Sequence, residues 1–113
     1  MATRYDTMIR LELPDDFDDH AWETEAKGWF PGAVLVVDGC RYRLTFYDPV
    51  HLAQDIEEAV GKRSTFFESN LVVVPSVTRA STEGASASLA IEAKAGLLAP
   101  EPPEQAPAWS FLD

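Results

Sequence analysis

Two strongly apolar arms, Ala33-Val34-Leu35-Val36-Val37 and Cys40-Arg41-Tyr42-Arg43-Leu44-Thr45-Phe46-Tyr47, are separated only by Asp38-Gly39. Asp-Gly accepts the positive φ angles of a type I′ turn, whose twist matches the strands it joins, so this stretch reads as a β-hairpin. The arms differ in pattern. The first is apolar throughout, as expected of a strand covered on both faces or placed centrally in its sheet. The second alternates, with Cys40, Tyr42, Leu44 and Phe46 facing inward and Arg41, Arg43, Thr45 and Tyr47 facing outward.

The flanking segments add further elements. Residues 5–13 alternate, with Tyr5, Thr7, Ile9, Leu11 and Leu13 on one side, and Pro14 ends that strand because it cannot donate to the ladder. Asp15 to Trp22 reads as a loop or short helix with acids in its first turn, where the helix dipole favours them. Phe17 and Trp22 are both candidates to anchor it to the core. Trp29-Phe30-Pro31 reads as a core plug at one end of the sheet, with exposure as the alternative. Asp48 is placed to cap a helix that Pro49 begins. Leu52, Ala53, Ile56, Ala59 and Val60 form its apolar stripe, and Gly61 marks its end. Phe66 and Phe67 should pack under the return loop. Leu71 to Val74 reads as a buried strand limited by Pro75, so a crossover joins it to the second hairpin arm. Residues 78–96 predict a helix capped by Thr78, with Ala80, Gly84, Ala87, Ile91 and Ala95 inward; a mobile segment is the competing reading.

These elements amount to an α+β fold: a single, mostly antiparallel sheet of about four strands, in the order β-β-β-α-β-α, with helices packed on one face. The spatial order of the strands stays open. Residues 1–98 form one domain, and a chain of 113 residues has material for one core. Residues 99–113 read as a proline-rich tail ending in an aromatic patch.

Charge narrows the function. Nineteen acids against nine bases give a net charge of −10, which disfavours nucleic acid and anionic membranes as partners. Residues 1–25 hold eight of the acids and only two of the bases. No apolar run approaches the roughly 18 residues of a membrane-spanning helix. The N-terminus lacks the apolar core of a signal peptide, so the expected location is the cytoplasm.

Motifs for chemistry are sparse. His20 and His51 are the only histidines. His51 falls one turn from Asp48 and Asp55, yet no nucleophile with a recognisable elbow accompanies it. Asp15, Asp16, Asp18, Asp19 and His20 are hard ligands close in sequence, but an EF-hand count from Asp15 puts His20 where glycine belongs and Ala26 where glutamate belongs. Cys40, alone, forms no intramolecular disulfide or cysteine-rich metal site. The glycines never cluster into a phosphate-binding loop. The expectation is therefore no catalytic residue, no metal and no cofactor.

A binding protein without catalytic activity remains, of inhibitor or immunity type, docking onto a protein partner with a basic surface. Its candidate contact residues are Asp15, Asp16, Asp18, Asp19, Trp22 and Glu23, with Trp109 and Phe111 as anchors on the tail. Two alternatives stand beside it. One is a small-molecule-binding domain or enzyme using the outward sheet face, with Arg41, Arg43, Tyr47 and His51. The other is a homo-oligomeric structural or accessory protein. Pairing of the sheet arginines with Glu12 or another acid would be their structural use.

Overall fold

The computed structural model describes residues 8–101. In chain order it contains β1 (Ile9–Glu12), a 3₁₀ turn (Asp18–His20), α1 (Ala21–Lys27), β2 (Trp29–Val37), β3 (Cys40–Tyr47), α2 (Pro49–Arg63), β4 (Leu71–Val73), α3 (Arg79–Gly84) and α4 (Ser86–Lys94). One four-stranded sheet follows chain order, β1-β2-β3-β4, with the first two pairings antiparallel and β3–β4 parallel. The fold is α+β. Expectations placed on Tyr5, Thr7, Trp109 and Phe111 lie outside the described residues.

The hairpin turn is built as its dipeptide dictates. Asp38 and Gly39 both have positive φ, 50° and 88°, and Val37 lies opposite Cys40. The Asp38 carboxylate also accepts from the Met8 N–H at 2.9 Å, and its own N–H donates to the Met8 carbonyl at 2.8 Å, tying β1 to the turn. β2 begins four residues earlier than its apolar run, at Trp29, and an irregularity between Phe30 and Ala33 absorbs Pro31 and Gly32.

The core lies on one side of this sheet. Ala33, Leu35 and Val37 from β2 and Tyr42, Leu44 and Phe46 from β3 form it with Val74, Val77, Ala90 and Ala93. Cys40 shares the inward parity of Tyr42, but it sits at the end of its strand and is exposed. α2 is capped by Asp48, whose side chain accepts from the His51 N–H at 2.7 Å, with Pro49 in the first turn. It meets the sheet at Tyr47, which strand alternation turns away from Phe46. The helices are thus shared between the two sides, α4 over the apolar core and α2 beside Tyr47.

The segment after β4 departs most from its sequence reading. Thr78 does cap a helix, accepting from the Ser81 N–H at 3.1 Å, but the helix breaks at Ala85. The inward residues are Thr82, Ala90 and Ala93, while Ala80, Gly84, Ala87, Ile91 and Ala95 face solvent. With alanine and serine on every side, the residues offered little polarity contrast by which to set the phase.

Candidate functional site

The acidic segment between β1 and β2 is a chain of tight turns leading into α1. Phe17 N–H donates to the Pro14 carbonyl, Asp19 N–H to Asp16 and His20 N–H to Phe17, at 3.0–3.2 Å. Phe17 is the anchor. Its ring is buried, meets Phe30 edge-on at 5.1 Å, and has the Arg79 guanidinium above it at 5.5 Å. Arg79 also pairs with Asp18 at 2.9 Å, so a base from α3 fixes both an aromatic and a carboxylate of this turn. The other end of α1 closes on Gly28, whose φ is 71°. A Cβ at Gly28 would fall on the Asp48 carboxylate, so the end of α1 abuts the cap of α2.

Trp22 does the opposite of Phe17. It stands in the first turn of α1 with 74% of its surface exposed. Asp15, Asp16, Asp18, Asp19 and Glu23 are exposed around it in sequence, as is Glu25. The local ion pairs take up some of this charge: His20 lies 3.0 Å from Glu23 and 3.6 Å from Asp16, and Asp18 meets Arg79. Asp15, Asp19 and Glu25 hold no ion pair among the described residues. The hydrogen bond to Glu23 is the largest cause that raises the His20 pKa above its ordinary value; desolvation opposes it, and the charges of Glu23, Asp16 and Asp19 add to the rise. The structure therefore brings Asp15, Asp16, Asp18, Asp19, Trp22 and Glu23 together on one exposed turn and helix.

The second set of residues is divided. Arg41 pairs with Glu12 at 3.1 Å and with Glu101 at 3.3 Å, while Arg43 meets Glu101 at 2.9 Å. Glu12 also takes Arg10 at 2.7 Å, and that hydrogen bond leads the causes that lower its pKa. Tyr47 is buried, and its hydroxyl donates to Glu68 at 2.6 Å. Burial first, and the Glu68 carboxylate second, push the Tyr47 pKa far above the ordinary tyrosine value. His51 is half-buried, with ring contacts to Trp29 at 6.1 Å and Tyr47 at 5.8 Å, and its Nε2 lies 3.3 Å from Asp55.

A cavity of about 410 Å³ opens between Tyr47, the second half of α2 and the return loop with Phe66, Phe67 and Glu68. Tyr47 lines it; Arg41, Arg43 and His51 do not. Among the described residues no group of three or more histidines, cysteines, aspartates and glutamates could hold a metal ion, and no helix is long and apolar enough to cross a membrane.

Arg79, Glu68 and Glu101 are the partners that sequence reasoning passed over. Each acts on a group far away in the chain, and nothing in its local pattern marks the pairing. Compared with known protein families, curated proteins and solved structures, the chain matches none.

Proposed function

We propose that this chain is a small, non-catalytic acidic protein of inhibitor or immunity type, working in the cytoplasm by docking onto a basic protein. The observation that carries the reading is Trp22, an indole 74% exposed in the first turn of α1, directly after the carboxylate-rich turn. A large apolar side chain in water costs free energy unless a partner covers it, and tryptophans are over-represented among residues that dominate binding energy. The surrounding acids supply the complement: they steer a basic surface inward and disfavour acidic competitors. Phe17, Arg79 and Gly28 hold this surface in a fixed shape, so little ordering cost falls on association. Trp109 and Phe111 belong to the same proposal as further anchors.

The test is affinity capture from the source cells with the intact chain and with a variant carrying Asp15→Lys, Asp16→Lys, Asp18→Lys and Asp19→Lys. The expected result is one stoichiometric basic protein, held at low salt, released near 1 M salt where screening acts within about 3 Å, and lost from the variant. Capture indifferent to both changes would count against the reading.

A second reading rests on the cavity of about 410 Å³ beside Tyr47, a size suited to a small molecule. It places a ligand against Tyr47, Phe66 and Phe67, away from the acidic turn.

A further inference from the structure

β4 covers only the last third of β3. It pairs with Thr45, Phe46 and Tyr47, so the same edge of β3 is left without a strand from Cys40 to Leu44. The stretch Ala99–Glu101 lies along that remainder. Ala99 is held by the Asn70 side chain at both backbone groups: its N–H donates to Asn70 Oδ1, and its carbonyl accepts from Asn70 Nδ2, each at 2.8 Å. The same Nδ2 reaches the Arg43 carbonyl at 2.9 Å. Two residues on, Glu101 N–H donates to the Arg41 carbonyl at 2.7 Å. The Glu101 carboxylate is then divided between two bases, Oε1 on Arg41 Nε at 3.3 Å and Oε2 on Arg43 Nε at 3.1 Å. Because Ala99 sits level with Arg43 and Glu101 with Arg41, the segment runs antiparallel to β3.

This arrangement separates two kinds of recognition. An amide side chain that grips a backbone N–H and C=O together reads any residue in extended form. A pair of guanidinium groups that divides one carboxylate reads the identity of a side chain two positions later. Main-chain pairing at a sheet edge, with alternate side chains read by pockets, is how extended peptides are bound by strand addition. The resident segment is held lightly. Ala99 and Pro100 are exposed, and from Ala99 onward the grip consists of polar contacts that contribute little each, while Leu98, just before them, packs against the core and anchors the tether. It holds its place chiefly because it is tethered.

We propose that the strand-free part of the β3 edge, with Asn70 as backbone clamp and Arg41 and Arg43 as carboxylate clasp, is a docking site for an extended segment of a partner protein with glutamate two residues after the clamped position, and that Ala99–Glu101 is the tethered occupant that a partner displaces. The arginines of the sheet face thereby gain a binding role that is independent of Trp22 and its acids.

The test uses a labelled peptide with the sequence of residues 97–104, and the full chain in two forms, intact and with Ala99→Pro and Glu101→Lys. Those substitutions remove the clamped N–H and reverse the charge at the clasp, freeing the edge without altering β3. The peptide is expected to bind the substituted chain at least about tenfold more tightly than the intact one, because the tethered occupant no longer competes for the edge. Exchanging the peptide's first glutamate for glutamine should weaken it by a similar factor, and adding Arg43→Ala to the substituted chain should weaken it likewise. In the intact chain, excess peptide should shift the Ala99 and Glu101 amide resonances.

A substituted chain that unfolds cooperatively but binds the peptide no better than the intact chain overturns the proposal. So does equal binding of the glutamine peptide, or unmoved Ala99 and Glu101 resonances at millimolar peptide. A concentration-dependent dimer of the intact chain, abolished by the two substitutions, would assign the edge to a second copy and overturn the assignment to a foreign segment.

Discussion

The two sides of the central hairpin bury equally apolar residues by different means. On one side, Leu35, Leu44 and Phe46 are sealed completely by their neighbours and by Ala90 and Ala93 of α4. On the other, Val34 and Val36 are each only 7% exposed. Their cross-strand neighbours there are Glu12 and Arg43 for Val34, and Arg10 and Arg41 for Val36. Those long side chains stand opposite the valines in the register, and their charged heads join in an ion-pair lattice that also takes in Glu101. An apolar strand can thus be covered by helix on one side and by paired charges on the other. Only the charged side keeps groups that can change partners.

The largest effect that would break this comparison lies on the sealed side. Phe46→Ala should remove about 4 kcal/mol of stability in urea unfolding, because a fully buried ring leaves a cavity that the sheet and α4 cannot refill. A loss under about 1 kcal/mol would mean that the apolar side tolerates voids and is not the stabilising layer. On the lattice side, Arg41→Ala should cost about 1 kcal/mol or less, since exposed ion pairs contribute little. A cost as large as that of Phe46→Ala would erase the distinction.

The smallest effect concerns His20. Its pKa is raised in the folded chain, so its pairing stabilises the fold fully below the ordinary histidine value near 6.5, and that contribution fades as pH rises through the raised folded value. A proton NMR titration should place the His20 midpoint above the ordinary value, and Glu23→Gln should bring it down. A midpoint unmoved by Glu23→Gln would separate His20 from the acidic turn.

Legibility in the sequence follows how local the cause is. Asp38-Gly39 sets its own backbone, and Asp48-Pro49 caps its own helix, so the hairpin turn and the start of α2 were readable from neighbouring residues alone. Beyond its start, α2 runs past Gly61 to Arg63 and leaves Ala53, Ile56 and Val60 of its expected apolar stripe exposed. The acidic turn was readable as a charged surface for the same reason. Phe17 and Trp22 were not separable, because both are aromatics among acids. Phe30 and Arg79, which bury the first and ignore the second, enter from distant parts of the chain. The outward arginines were expected to pair with Glu12 or another acid, and they do: Arg41 takes Glu12, while the other acid is Glu101, which approaches from beyond α4 and could be identified only in three dimensions.

The exposed indole carries the functional account, so its removal is the decisive measurement. Calorimetric titration of the captured basic protein with the intact chain and with Trp22→Ala should show affinity lower by about 2 kcal/mol or more, roughly thirtyfold, with folding stability changed by no more than about 0.5 kcal/mol. Equal affinities in a variant of unchanged stability would contradict it and would move the binding surface elsewhere on the molecule.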